Sequence, residues 1–237
     1  MSIFRLRHYL AAGFALALAS TAAFAATPPR PFTATYQVLR GGSAIGEATI
    51  RLKPASGGEF AYSNEIKGTA GLAAMIGASS SETSRFRWDH DTPETLSYDY
   101  RMNTAFKQRR RHMQVDWRSR KVQVSEDHKH YSYAAVPGLV DRNTLPLAIG
   151  LALQDGARSV DVPLGVKQRV EKQQFQVKGH GDVQVPAGSF QAERVERTDS
   201  NDAFEAWYVP AKYPVPVKLA QRDGGNLTLQ LVSFHRP

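Results

Sequence analysis

The side chains able to do chemistry are scattered along the chain. Beyond an N-terminal segment that holds His8, histidines stand at His90, His112, His128, His130, His180 and His235. Asp89-His90-Asp91 brackets one imidazole with carboxylates, and His128-Lys-His130 puts two imidazoles on one face of a strand, so each could begin a metal site. Neither has a further ligand at a metal-binding spacing and no HExxH pattern occurs, so surface histidines are the expectation and no metal is assigned. Ser79-Ser80-Ser81 lies among small residues with no G-x-S-x-G elbow to activate a nucleophile. Phosphate loops and dinucleotide fingerprints are missing, and the absence of cysteine removes thiolate nucleophiles, disulfides and a lipid-modified cysteine. These residues describe a non-enzymatic protein without cofactor; an enzyme would need catalytic groups converging from distant strands.

Charge is the other chemical feature. Across 237 residues the formal net charge is +8, from 30 Lys and Arg against 22 Asp and Glu. The excess is local, because Arg101, Lys107, Arg109, Arg110, Arg111, Arg118, Arg120 and Lys121 share one stretch with a single acid, Asp116. Along a strand Lys107, Arg109 and Arg111 point one way and Arg110 and His112 the other. Lys107, Arg109, Arg110, Arg111, Arg118, Arg120 and Lys121 are thus candidates for a patch docking anionic lipid, lipopolysaccharide phosphate or an acidic partner. The favoured alternative is an edge strand defended by charge against sheet-to-sheet association. Nucleic acid is not expected, since the stretch offers neither a groove-fitting helix nor a platform of stacking aromatics.

The elements that must position these groups read as strands. Phe32, Ala34, Tyr36 and Val38 alternate with Thr33, Thr35 and Gln37; Gly41-Gly42 turns the chain, and Ala48, Ile50 and Leu52 resume the apolar face. Leu96, Tyr98, Tyr100 and Met102 alternate in the same way, as do Val183 and Val185 before Pro186-Ala187-Gly188, and Leu227, Leu229 and Leu231. About a dozen strands fit, each wet on one face and buried on the other. Trp88, Trp117 and Trp207 read as anchors of the β core. One segment is helical: Asp141 to Asp155 stacks Leu145, Ile149 and Leu153, with Leu147 and Leu151 beside them, Asn143 or Thr144 as N-cap and Pro146 in the first turn. Gly68 to Ser84 reads as a short helix or a flap. The expected fold is all-β and mainly antiparallel, a curved sheet or partly open barrel or sandwich with one helix covering an opening.

An ordered set of motifs adds to this. Asp141-Arg-Asn-Thr-Leu-Pro-Leu, Val177-Lys-Gly-His-Gly-Asp-Val, Val185-Pro-Ala-Gly-Ser-Phe-Gln-Ala-Glu-Arg-Val, Trp207-Tyr-Val-Pro and Tyr213-Pro-Val-Pro-Val-Lys-Leu precede Asp223-Gly-Gly and Leu227-Thr-Leu-Gln-Leu. With Tyr36-Gln-Val, Gly46, Val115-Asp-Trp and Val122, the chain resembles the exported bacterial family known as domain of unknown function 3108. The resemblance implies a periplasmic, mainly antiparallel β protein and brings no catalytic residue. Pro210, Pro214 and Pro216 fit turns or edges. A looser likeness of fold to periplasmic lipoprotein carriers suggests that the sheet shelters an apolar or lipid-like envelope component. Tyr36, Ile50, Tyr62, Leu72, Met75, Ile76, Tyr98, Tyr100, Leu147 and Leu151 are the candidate lining residues, to be separated from ordinary core by a void of about 300 Å³ or more. The alternative is an envelope structural protein docking an anionic partner through the basic hairpin.

Residues 1–25 carry the pattern of a cleavable secretory leader. Arg5, Arg7 and His8 precede an uncharged run from Tyr9 to Phe24, and Ala23-Phe24-Ala25 supplies the small-x-small cleavage pattern. The run is short of the ~20 residues that span hydrocarbon, and nothing later is long and apolar enough to do so as a helix. Residues 26–237 then form one periplasmic domain that is not a lipoprotein. N-terminal sequencing of protein recovered from the periplasm should read Ala26 first; a cytoplasmic chain that keeps its first 25 residues contradicts the leader.

Overall fold

Successive side chains leave a pleated strand on opposite faces, and Phe32–Arg40 (β1) follows that rule, burying Phe32, Ala34, Tyr36 and Val38 between half-exposed neighbours. The computed structural model describes residues 28–89, 91–200, 204–221 and 226–237; the expected leader, His90 and Asp223-Gly-Gly lie outside the described residues. Gly41 and Gly42, at φ +56° and +83°, make the tight turn that their lack of a Cβ permits. Ser43–Pro54 (β2) then returns with Ala48, Ile50 and Leu52 on the inner face.

The same hairpin logic continues through Glu59–Gly68 (β3), Ser79–Asp89 (β4), Thr92–Asn103 (β5), Gln108–Asp116 (β6), Lys121–Glu126 (β7) and Lys129–Ala134 (β8). After the connection comes a second meander: Ser159–Gly165 (β9), Val170–Val185 (β10), Gly188–Arg197 (β11), Phe204–Tyr208 (β12), Lys218–Gln221 (β13) and Leu227–His235 (β14). All sheet pairs are antiparallel, and β14 lies against β1, so one 14-stranded sheet runs from β8 through β1 and β14 to β9. The expected mainly antiparallel curved sheet is the observed fold, with fourteen described strands where about a dozen were read. β6 is paired on both sides, with β5 and β7. The reading of the basic stretch as a charge-defended edge is therefore corrected: β8 and β9 are the edges.

The two edges approach each other across an incomplete seam. The Tyr133 hydroxyl donates to the Val166 carbonyl over 2.6 Å, and Lys167 Nζ lies 3.1 Å from Glu126. Val140 adds a short parallel bridge to Leu164 on β9. Between the edges the chain turns inward and forms Leu145–Gln154 (α2), four residues shorter at its start than the sequence reading and with Leu145, Leu147, Ala148, Ile149, Gly150, Leu151 and Leu153 buried. A helix apolar nearly all round belongs inside a protein; α2 plugs the curve of the sheet as well as covering it. Tyr208 donates to the Pro146 carbonyl and Tyr36 to the Pro216 carbonyl, tying the plug and the proline-rich 209–217 segment to the sheet. That segment presses so closely that a Cβ on Gly150 would stand 2.0 Å from the Pro214 carbonyl oxygen.

Asp141 anchors the plug. Its buried carboxylate accepts the Ser84 hydroxyl at 2.8 Å, the Thr95 hydroxyl at 2.9 Å, and the N–H groups of Asn143 and Thr144 at 2.9 and 3.1 Å. Asp141 thus closes the turn that leads into α2, while Thr144 occupies the N-cap position without a side-chain cap bond. Thr95 reaches it because β5 bulges at the step opposite Arg85 and Phe86, which turns Thr95 inward in place of Leu96. Two cores result, a large one around α2 and a smaller one of Tyr98, Met113, Val115, Val122, Val124, Ala135 and Leu139.

Asp141→Asn replaces one acceptor oxygen by an amide N–H₂ that faces groups donating to this carboxylate and should cost about 1–3 kcal/mol, lowering Tm by roughly 2–4 °C per kcal/mol. Gly150→Ala should cost a similar ~1–3 kcal/mol by overpacking. Thermal unfolding checks both, and unchanged midpoints contradict the anchor and the close approach respectively.

Candidate functional site

Antiparallel register carries inward side chains around the curve in rows. Nearest one end run Tyr36, Ala48, Ile66, Ser80, Met102 and Arg109 from β1 to β6. The next row is Ile50, Asn64, Glu82, Tyr100, Arg111 and Glu126 from β2 to β7. The third is Leu52, Tyr62, Ser84, Tyr98, Met113 and Val124, largely apolar and buried. The plug fills the space over the third row and leaves a cavity of about 470 Å³ over the first two. Its wall on β1, β2, β13 and β14 is mostly apolar, with Val38, Ile45, Ile50, Leu219, Leu227 and Leu229 beside Gln221; its wall on β3 to β6 is mixed, with Asn64, Glu82, Tyr100 and Arg109 among Ile66 and Met102. Arg142, Asn143 and Pro146 of the plug segment complete it.

Arg142 follows the anchored Asp141 directly, so the bond network that fixes the plug also aims this side chain. It lines the cavity with a side chain that is 54% exposed, against 12% for its neighbour Glu82. Arg142 Nε stands 3.8 Å from Glu82 Oε2, and Glu82 accepts the Tyr98 hydroxyl at 2.7 Å. Enclosure by protein acts to lower the Arg142 pKa, but Glu82 and the nearby Tyr98 and Tyr100 outweigh it and raise it, so the guanidinium stays charged. Burial pushes the Asp141 carboxyl up, opposed by its hydrogen-bond donors. Burial also raises Tyr62 and Tyr98, assisted in both by Glu82 and Asp141. Such a mixture of an apolar wall and a few placed polar groups suits a bound small molecule.

Among the expected lining residues, Tyr36, Ile50, Tyr62 and Tyr100 line the cavity. Leu147 and Leu151 are packed in the large core and Tyr98 in the small one. Gly68 to Ser84 resolves into the end of β3, the short helix Gly71–Met75 (α1) and the start of β4. Leu72 and Met75 on α1 are 67% and 83% exposed, and Phe106 at the β5–β6 turn is 87% exposed. The two turns are joined by the Ala105 N–H to the Ile76 carbonyl, which places three apolar tips on the rim beside the cavity. Asn64, Glu82 and Arg142 had escaped the sequence reading: Ser80, Glu82 and Ser84 make the inner face of β4 look like an outer one.

The basic stretch does not form one surface. Arg109 and Arg111 point inward, where Arg111 lies 3.0 Å from Glu126, whereas Arg101 and Arg110 are cross-strand partners on the outer face. Lys107 sits at the β5–β6 turn, and Arg118, Arg120 and Lys121 at the β6–β7 turn on the opposite end of the sheet. His112 lies 2.9 Å from Asp99 on the outside, and His128 is in the turn after β7, so it does not share a strand face with His130. Among the described residues no three His, Asp or Glu side chains gather as a metal site. Trp117 donates to the Thr95 carbonyl, Trp207 lies under Lys218, and Trp88 packs on the large core.

Burial holds Tyr36, Tyr62, Tyr98 and Tyr208 above the ordinary phenol value of 10, and brings half-buried Tyr133 up to about 12. The fold keeps these phenols neutral, so stability is complete below that ordinary value and falls as pH rises beyond it. An alkaline titration followed by tyrosinate absorbance should show these groups silent until the fold opens; ionisation of every phenol near pH 10 in folded protein contradicts their burial.

Comparison with known proteins agrees with this architecture. A crystal structure of a beta-barrel-like protein of domain of unknown function DUF1849 from Brucella abortus aligns with a TM-score of 0.53 at 11% identity, covering 88% of this chain and 98% of that one. At that identity the likeness shows the fold alone. No curated protein matches the chain. The model of a family described as proteins of unknown function, DUF3108, matches residues 32–232, and the chain belongs to that family.

Proposed function

We propose that this protein is an exported, non-enzymatic binding protein of the cell envelope that shelters an apolar or lipid-like molecule. The observation that carries the reading is the cavity of about 470 Å³ between the sheet and the plug. That volume exceeds the ~300 Å³ at which small-molecule sites begin. Its apolar wall draws residues from both meanders where β1 and β14 pair, so it is a property of the sheet and not of a loop. Leu72, Met75 and Phe106 on the rim give an apolar ligand a contact surface outside the cavity, which suits exchange with a bilayer or a second protein. The leader pattern of residues 1–25 supports export to the periplasm.

Ser80 offers a way to close the cavity without disturbing the core, since it lines the cavity and faces inward between Ile66 and Met102. A neutral apolar dye such as N-phenylnaphthylamine should bind the full chain with a rise in fluorescence. Ser80→Trp should weaken that binding about tenfold or more while Tm stays within a few degrees. Equal binding by the two proteins, or none by either, refutes the reading.

A further inference from the structure

We propose that the cavity takes a single-chain amphiphile with an anionic headgroup, its charge on Arg142 and its apolar chain along β1, β2, β13 and β14. This deepens the carrier reading and rests on it. Among the described residues the closest acidic partner of Arg142 is Glu82, and the closest approach, 3.8 Å from Nε, is too long for a hydrogen bond. Among the described residues the guanidinium thus makes no hydrogen bond to a carboxylate, and the side chain lines the cavity. A planar fork of donors in a partly desolvated space is matched by a carboxylate or a phosphate.

The charge balance of the walls points the same way. Among the described residues Arg109 and Arg142 bring positive charge to the cavity from its inner face and Glu82 is the one carboxylate that lines it, already accepting the Tyr98 hydroxyl. An anion entering beside Arg142 thus meets a net positive wall. Asn64 Oδ1, across the strand pair from Glu82, is buried and receives no donor among the described residues. Val38, Leu219, Leu227 and Leu229 stand on β1, β13 and β14, strands other than those that carry Asn64, Glu82 and Arg109, and offer the chain of the amphiphile an apolar path.

Displacement of bound N-phenylnaphthylamine by decanoate, decyl phosphate and decanol at pH 8 separates the claims. At least one anion should displace the dye about tenfold more tightly than decanol. Arg142→Gln should bring that anion to the level of decanol, and Arg142→Lys, which keeps the charge, should retain most of the preference. The order of the two anions tells carboxylate from phosphate. Decanol binding as tightly as both anions overturns the headgroup assignment and leaves the carrier reading standing. A preference that survives in Arg142→Gln removes Arg142 from the site. Failure of the dye itself to bind overturns the carrier reading and this inference with it.

Discussion

A carboxylate buried in an otherwise apolar interior is expensive unless every lone pair is met, and the Asp141 network meets that condition with two hydroxyls and two backbone N–H groups. The remaining architecture depends on it. A 14-stranded meander leaves two free edges and an unfilled interior; here the chain between the edges supplies the filling. Glu94 helps from the same strand as Thr95 by accepting the Gly138 N–H, and Glu126 binds Lys167 across the seam while holding Arg111 on the neighbouring strand. Three carboxylates thus tie the plug and the seam where backbone pairing is incomplete.

The cavity follows from the length of the plug. Its large core is continuous from β1 and β2 through α2 to β9–β14, and its small core lies under β5–β8. Asp141, Ser84, Thr95 and Asn143 occupy the boundary between them. On the side of the α1 rim no plug residue extends beyond Arg142, Asn143 and Pro146, so the inner rows there face open space. Polar residues are tolerated on that inner face because the space is accessible, and the same residues give the cavity its one charged side.

Much of this was legible before any coordinates. Period-two alternation in Phe32–Val38 and Ala48–Leu52 specified both the strands and the face they bury, because a one-residue slip would expose the whole apolar set. Gly41-Gly42 marked the hairpin through its backbone freedom, and the leucines of α2 marked a covering helix with an apolar stripe, where the structure buries the helix nearly all round. Other features could not be read locally. The bulge opposite Arg85 and Phe86 exchanges Leu96 for Thr95 on the inner face, against the alternation. Arg109 and Arg111 alternate with Arg110, but only the pairing of β6 on both sides shows that the first two lie within the curve. Arg142 sits beside the helix start in sequence, and its role depends on Glu82, sixty positions earlier.

The central claim is that the space between plug and sheet holds an amphiphile. Native mass spectrometry of the full chain, purified from the envelope fraction without detergent, tests it most directly. The account predicts a population carrying one noncovalent small-molecule adduct that is lost when the cavity is filled at Ser80. Protein detected only at its own mass, before and after incubation with decanoate, would contradict it.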